Sequence, residues 1–170
     1  LAPVKMDGNW GYIDEENTLV IPCKFVKAYG FRGDGLAIIG LRGKEGFIDK
    51  SGKIVIFPKY TEVFPFSEGM AIVKRGKKYG FINLKGELVF PCCYDWCDCF
   101  KRGFAIVEIS DKYGCIDKEG NVTYNLESMN MTQSESFYVV AKITGDPTYA
   151  DEVVYYQVEK TTFIPATAIY

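Results

Sequence analysis

Gly11-Tyr12-Ile13-Asp14 is followed down the chain by Gly46-Phe47-Ile48-Asp49, Gly80-Phe81-Ile82-Asn83 and Gly114-Cys115-Ile116-Asp117, at steps of 35, 34 and 34 residues. A fixed period of this size marks one small structural unit copied end to end. Other positions keep the same beat. Six residues past each of Gly11, Gly46, Gly80 and Gly114 stands a turn residue: Asn17, Gly52, Gly86 and Gly120. An apolar run ending at a proline comes next, Leu19-Val20-Ile21-Pro22, Ile54-Val55-Ile56-Phe57-Pro58 and Leu88-Val89-Phe90-Pro91. An aromatic follows (Phe25, Tyr60, Tyr94), then a phenylalanine (Phe31, Phe66, Phe100), then a second apolar run opened by Gly35, Gly69 or Gly103. One extra residue in the first long loop explains the single 35-residue step.

Periods near 34 also occur in helical repeats, but the residue chemistry here is that of strands. Each copy is cut by glycines and a proline into apolar runs too short for a helix, and those runs favour Ile, Val, Phe and Tyr. The spacing predicts an all-β fold of tandem three-stranded antiparallel meanders. Strand one covers Gly35 to Leu41, strand two Glu45 to Asp49 and strand three Lys53 to Phe57, with counterparts one and two periods on. Leu1 to Ile21 is expected to supply only strands two and three of an opening unit. A lone meander cannot bury both faces, so neighbours must stack, with Phe31, Phe66 and Phe100 as the expected plugs between units. An extended, twisted array is the first expectation. A propeller-like ring is the alternative, since units this short are undersized for ordinary blades.

On these residues the chain resembles the WG-repeat (WG-containing β repeat) proteins. The likeness rests on Trp10-Gly11-Tyr12-Ile13-Asp14, Ile21-Pro22-Cys23-Lys24-Phe25 and Phe66-Ser67-Glu68-Gly69-Met70-Ala71-Ile72-Val73, and spans residues 8 to about 124. Tryptophan precedes the glycine only once; Glu45, Tyr79 and Tyr113 take its place elsewhere. The resemblance implies a mostly bacterial interaction module with no catalytic residue set to transfer.

Residues 1–124 are therefore read as the repeat array. Residues 125–170 break the beat and are read as a β-rich terminal cap or the start of a further domain. Within them, 125–136 is a polar connection, 137–143 and 153–159 are expected strands around the turn 144–147, and a third strand is expected near 161–164.

Bulk chemistry narrows the functional classes. The 170 residues carry a formal net charge of −2, so nucleic acid is not an expected partner. No apolar run approaches the ~20 residues needed to span a bilayer as a helix. There is no histidine, which removes the commonest general base and zinc ligand. No phosphate-cradling or dinucleotide motif appears, so no cofactor is expected. Cys92, Cys93, Cys97 and Cys99 crowd one loop without the usual Cys-x-x-Cys knuckles; buried or idle thiols are expected ahead of a metal site or a disulfide. Cysteines that do not recur with the period favour a reducing, cytoplasmic setting. The chain opens at Leu1, as expected of a fragment or processed product.

Two features bear on binding. Asp14, Asp49, Asn83 and Asp117 are expected to cap their turns through the backbone, as Asx residues commonly do. The turns between strands one and two hold Arg42, Lys44, Lys74, Arg75, Lys77, Lys78 and Lys112, a candidate basic edge for an anionic polymer or ligand. The first expectation is a non-enzymatic module that holds another protein. Anion binding along this edge is the alternative, and a carboxylate-dependent glycan hydrolase stands third.

Overall fold

The computed structural model describes residues 1–126, 136–142, 153–159 and 168–169, of which 122–126 and the last three stretches are described as backbone. All regular structure among them is strand. In chain order these are β1 (Ala2–Met6), β2 (Asn9–Ile13), β3 (Leu19–Phe25), β4 (Lys27–Ala28), β5 (Leu36–Leu41), β6 (Lys44–Asp49), β7 (Ile54–Tyr60), β8 (Glu62–Val63) and β9 (Met70–Arg75). There follow β10 (Lys78–Asn83), β11 (Leu88–Tyr94), β12 (Trp96–Cys97), β13 (Phe104–Ile109), β14 (Lys112–Asp117), β15 (Val122–Leu126), β16 (Ser136–Lys142), β17 (Val153–Glu159) and β18 (Ala168–Ile169). They form five open antiparallel sheets, ordered β1-β2-β3, β4-β5-β6-β7, β8-β9-β10-β11, β12-β13-β14-β15 and β16-β17-β18. The chain divides into two compact units, Leu1–Cys93 and Tyr94–Tyr170.

Local chemistry makes each meander. Two-residue turns join its first pair of strands, as at Arg42-Gly43 between Leu41 and Lys44, where φ is 51° and 73°. Both values suit the type I′ turn, whose twist matches that of the flanking strands. The second turn is organised by the Asx residue of the tetrad. Asp49 Oδ1 accepts from the N–H groups of Ser51 and Lys53 at 2.9 and 3.1 Å, and Asp14, Asn83 and Asp117 make the equivalent pairs of bonds.

The tetrad glycine is required by backbone crowding. A Cβ on Gly11, Gly46 or Gly80 would lie 2.8–2.9 Å from the amide nitrogen of Cys23, Pro58 or Cys92, and as close or closer to the carbonyl oxygen of Ile21, Ile56 or Phe90. At this place the ladder also slips. Glu45 pairs Tyr60 while Phe47 pairs Ile56, leaving three residues of β7 opposite one of β6. That bulge corrects the expectation that strand three stops at its proline. β3, β7 and β11 run on to Phe25, Tyr60 and Tyr94, because a proline in the unpaired stretch of a sheet-terminal strand forfeits no ladder bond.

Two further corrections concern strand count. The opening unit is a complete meander, since β1 pairs β2 across Asp7-Gly8. β1 has no fully buried residue, hence no apolar alternation to announce it. The next three units are four-stranded. What was expected to be plain loop contributes β4, β8 and β12, two residues each, to the sheet of the following repeat.

In the first unit the cores lie between successive sheets. Tyr12, Ile21 and Phe25 of the first repeat pack with Ala37, Ile39 and Ile48 of the second. Ile38, Phe47, Ile56 and Tyr60 of the second pack with Val63, Ala71, Val73 and Ile82 of the third. Neighbouring residues of one strand thus enter opposite cores, as the period of two dictates, and β5 and β6 are buried on both faces. Phe31 joins the first core with its ring 4.9 Å from Tyr12, and Phe66 the second at 4.9 Å from Phe47. Phe100 is fully buried in the second unit. The Asx turns complete the stack. A Cβ on Gly52 would come within 3.2 Å of the Ile21 side chain, and one on Gly86 within 3.1 Å of Ile56.

In the second unit β13 and β14 pair from Phe104↔Asp117 to Ile109↔Lys112, and β16 pairs β17 from Ser136↔Glu159 to Lys142↔Val153. The expected turn 144–147, the strand near 161–164 and most of the connection 125–136 lie outside the described residues.

Substitution at Gly46 tests the crowding. Gly46→Ala should lose at least about 1–3 kcal/mol in urea unfolding, as overpacked sites do. Gly30→Ala, where a Cβ meets nothing within 4 Å, should stay within about 0.5 kcal/mol. Equal effects at the two sites would refute the reading.

Candidate functional site

The residue before the tetrad glycine heads a row that crosses each sheet. Lys5 pairs Trp10 in the first repeat, Gly40 pairs Glu45 in the second, Lys74 pairs Tyr79 in the third and Glu108 pairs Tyr113 in the fourth. In the four-stranded sheets the short added strand extends the row to Lys27, Glu62 and Trp96. The first, third and fourth rows fill their face with an aromatic and a long charged chain. Lys5 Nζ lies 5.8 Å from the Trp10 ring centre and Lys74 Nζ 4.8 Å from that of Tyr79, within cation–π range. Trp96 and Tyr113 meet edge to face at 6.4 Å.

The second repeat departs at both places. Glycine stands where the others have a lysine or glutamate, and glutamate where they have an aromatic. Lys27 reaches across the bare Gly40 backbone, so close that a Cβ there would lie 3.0 Å from its own Cβ. Its Nζ donates to Glu45 Oε1 at 2.8 Å, while the Val63 N–H donates to Oε2 at 3.0 Å. The partners differ in access: the Glu45 side chain is 7% exposed and that of Lys27 59%. The hydrogen bond and charge of Glu45 hold the Lys27 ammonium above the usual lysine range.

Over this pair opens a cavity of about 620 Å³. Tyr29, Phe31, Phe47 and Phe64 contribute aromatic walls, and Arg32, Asp34 and Glu62 also line it. Glu62 lies 3.6 Å from Lys74 Nζ, its ion-pair partner. The sequence reading missed this site. The signal was present as a double departure from the repeat at positions 40 and 45, legible once the four rows are aligned.

The expected basic edge is partly occupied. Arg42, Lys44 and Lys77 are exposed on their turns. Lys74 is engaged by Glu62 and Tyr79, and the Arg75 guanidinium lies 5.6 Å from the Tyr60 ring centre. Lys78 is half-buried, and Lys112 is exposed in the second unit. The tetrad carboxylates do not converge on a cleft; each is taken up by its own turn. Bonds from Ser51 pull the Asp49 carboxyl below the ordinary carboxylate range, and those from Asn121 do the same to Asp117.

The cysteines fall in different settings. Cys23, Cys92 and Cys93 are free thiols of the first unit, while Cys97 is fully buried in the second. Burial pushes the Cys92 thiol up. Among the described residues no three His, Cys, Asp or Glu side chains gather as a metal-holding group, and no helix is long and apolar enough to cross a membrane.

Short sheets that stack in the first unit with a core between successive ones define a tandem β-repeat protein. Within that class, the family model for the WG containing repeat matches residues 10–44, 46–79 and 79–113, more than half of the chain. The protein belongs to the WG-repeat family. Comparison with curated proteins finds no match.

The Asx turns make a pH prediction. Asp49 has a depressed folded pKa, so its contribution is present above the unfolded carboxylate value near 3.9 and lost as pH falls through the folded one. Asn83 makes the same backbone bonds with an amide. Asp49→Asn should therefore keep the turn and flatten the fall of melting temperature between about pH 5 and pH 2. An acid limb as steep as that of the parent would count against it.

Proposed function

We propose that this chain is a non-catalytic module that holds another protein on its repeat surface. The supporting observation is a recurring row of uncovered apolar side chains on the third strand of each repeat in the first unit. Leu19 and Val20, Ile54 and Val55, and Leu88 and Val89 are all exposed, and Phe57 is 69% exposed beside them. On the same strands Ile21, Ile56 and Phe90 point into the protein. Stacking therefore accounts for one face and leaves the other dressed for contact, and exposed apolar surface of this kind marks interaction sites.

Two rival readings draw less support. Anion binding along the turns would use Arg42, Lys44 and Lys77, yet the densest stretch of that edge already spends Lys74 and Arg75 on Glu62, Tyr79 and Tyr60. A carboxylate hydrolase would use Glu45 and Glu62, which line one cavity. Both are held by lysine, and Glu45 by a backbone N–H as well, which suits anchoring better than proton transfer.

A pair of surface charges provides the test. Val55→Glu with Phe57→Glu should leave the melting temperature nearly unchanged, as exposed substitutions do. It should abolish retention of the protein that immobilised parent chain captures from an extract of the source organism, at both low and high salt. Undiminished retention by the variant, or capture that vanishes with salt alone, would overturn the proposal.

A further inference from the structure

The cavity of the second repeat has a polarity that says what it can take. We propose that it receives a guanidinium or alkylammonium group, an arginine or lysine side chain of the partner entering end-on, with Glu45 as the anchor and Lys27 as the internal cation it displaces. This rests on the binding-module reading and adds to it the chemistry of the contact residue.

Space comes first. The other rows fill their face with Lys5 and Trp10, Lys74 and Tyr79, or Glu108 and Tyr113, whereas Gly40 and Glu45 leave it open. The resulting 620 Å³ lies within the ordinary range of ligand pockets, about 300–1,000 Å³.

Charge comes next. The fixed group at the cavity is a carboxylate: Glu45 is buried, and its Oε2 is tied to the Val63 N–H. The cation opposite is the movable partner, since Lys27 is mostly exposed and sits on a flexible stem. A ligand cation can take over Oε1 as the Lys27 head swings into solvent, so the buried carboxylate is never left unpaired, which would be costly. An anion in the same place would face that carboxylate, together with Glu62 and Asp34, against Lys27 and Arg32. Aromatic residues in the lining, Tyr29, Phe31, Phe47 and Phe64, suit a weakly hydrated guanidinium. A planar fork can also bond a carboxylate from two nitrogens at once.

The displacement model predicts opposite signs for the two partners, which a merely structural ion pair does not. N-acetyl-arginine methylamide is titrated into the full chain, and the Val63 amide resonance and the heat of binding are followed. The parent should show a saturable shift. Lys27→Met, with its competitor removed, should bind about tenfold more tightly, and Glu45→Gln, whose amide oxygen can still accept from Val63, at least about tenfold more weakly. The neutral isostere N-acetyl-citrulline methylamide should give no shift. Weaker binding by Lys27→Met, equal binding of the citrulline probe, or no saturable shift in either parent or Lys27→Met would each overturn the proposal. Should Glu45→Gln fail to fold, the Lys27→Met and citrulline arms still decide. A failed titration alongside intact, stripe-dependent partner capture would discard the cavity and leave the binding-module reading standing.

Discussion

The third strand of every repeat in the first unit passes its backbone over a glycine, and the rest of the architecture follows from that crossing. With a side chain at Gly11, Gly46 or Gly80, the carbonyl and amide of the overlying strand would have nowhere to go. With glycine there, β3 and β7 can bulge, absorb a proline and still deliver Ile21 or Ile56 inward, and β11 buries Phe90 in the same place. The same excursion sends the chain on to its next aromatic and then to the short strand that extends the following sheet. Connectivity from one copy to the next is thus built at the glycine.

Packing turns that connectivity into stability. Each fully buried Ile or Phe between sheets contributes about 1.5–3 kcal/mol relative to exposure, and in the first unit those residues are shared between neighbours rather than held within one meander. A three- or four-stranded sheet of this size would otherwise expose a full apolar face. The Asx turns contribute through satisfied backbone donors, and the glycines at 52 and 86 let those turns sit directly on the preceding repeat's isoleucine. Polar and apolar devices therefore act on the same few residues.

Much of this was legible from spacing alone. Tetrads, turn residues and apolar runs carry period-two and period-34 signals, and these located the first two strands of the central meanders within a residue, while the third strands run three or four residues further than expected. The sequence understated what lacks such a signal. β1 has no alternation because none of its residues is fully buried. β4, β8 and β12 are too short to show any period, and exist because the neighbouring sheet offers an edge. Proline read as a stop because a bulge that tolerates it arises from tertiary crowding over glycine. The cavity was hidden for another reason. Glu45 looks like a diluting surface charge along the chain, and only the cross-strand neighbours Gly40 and Lys27 reveal it as a buried anchor.

The alternation of side chains along β5 and β6 between two cores carries a genetic consequence. The second copy offers one face to the copy before it and a different face to the copy after. Duplicating or deleting a whole segment by recombination leaves the flanking faces matched, whereas a shift of a few residues mismatches both. Length is then an adjustable trait of such a chain, while the phase of the repeat is not.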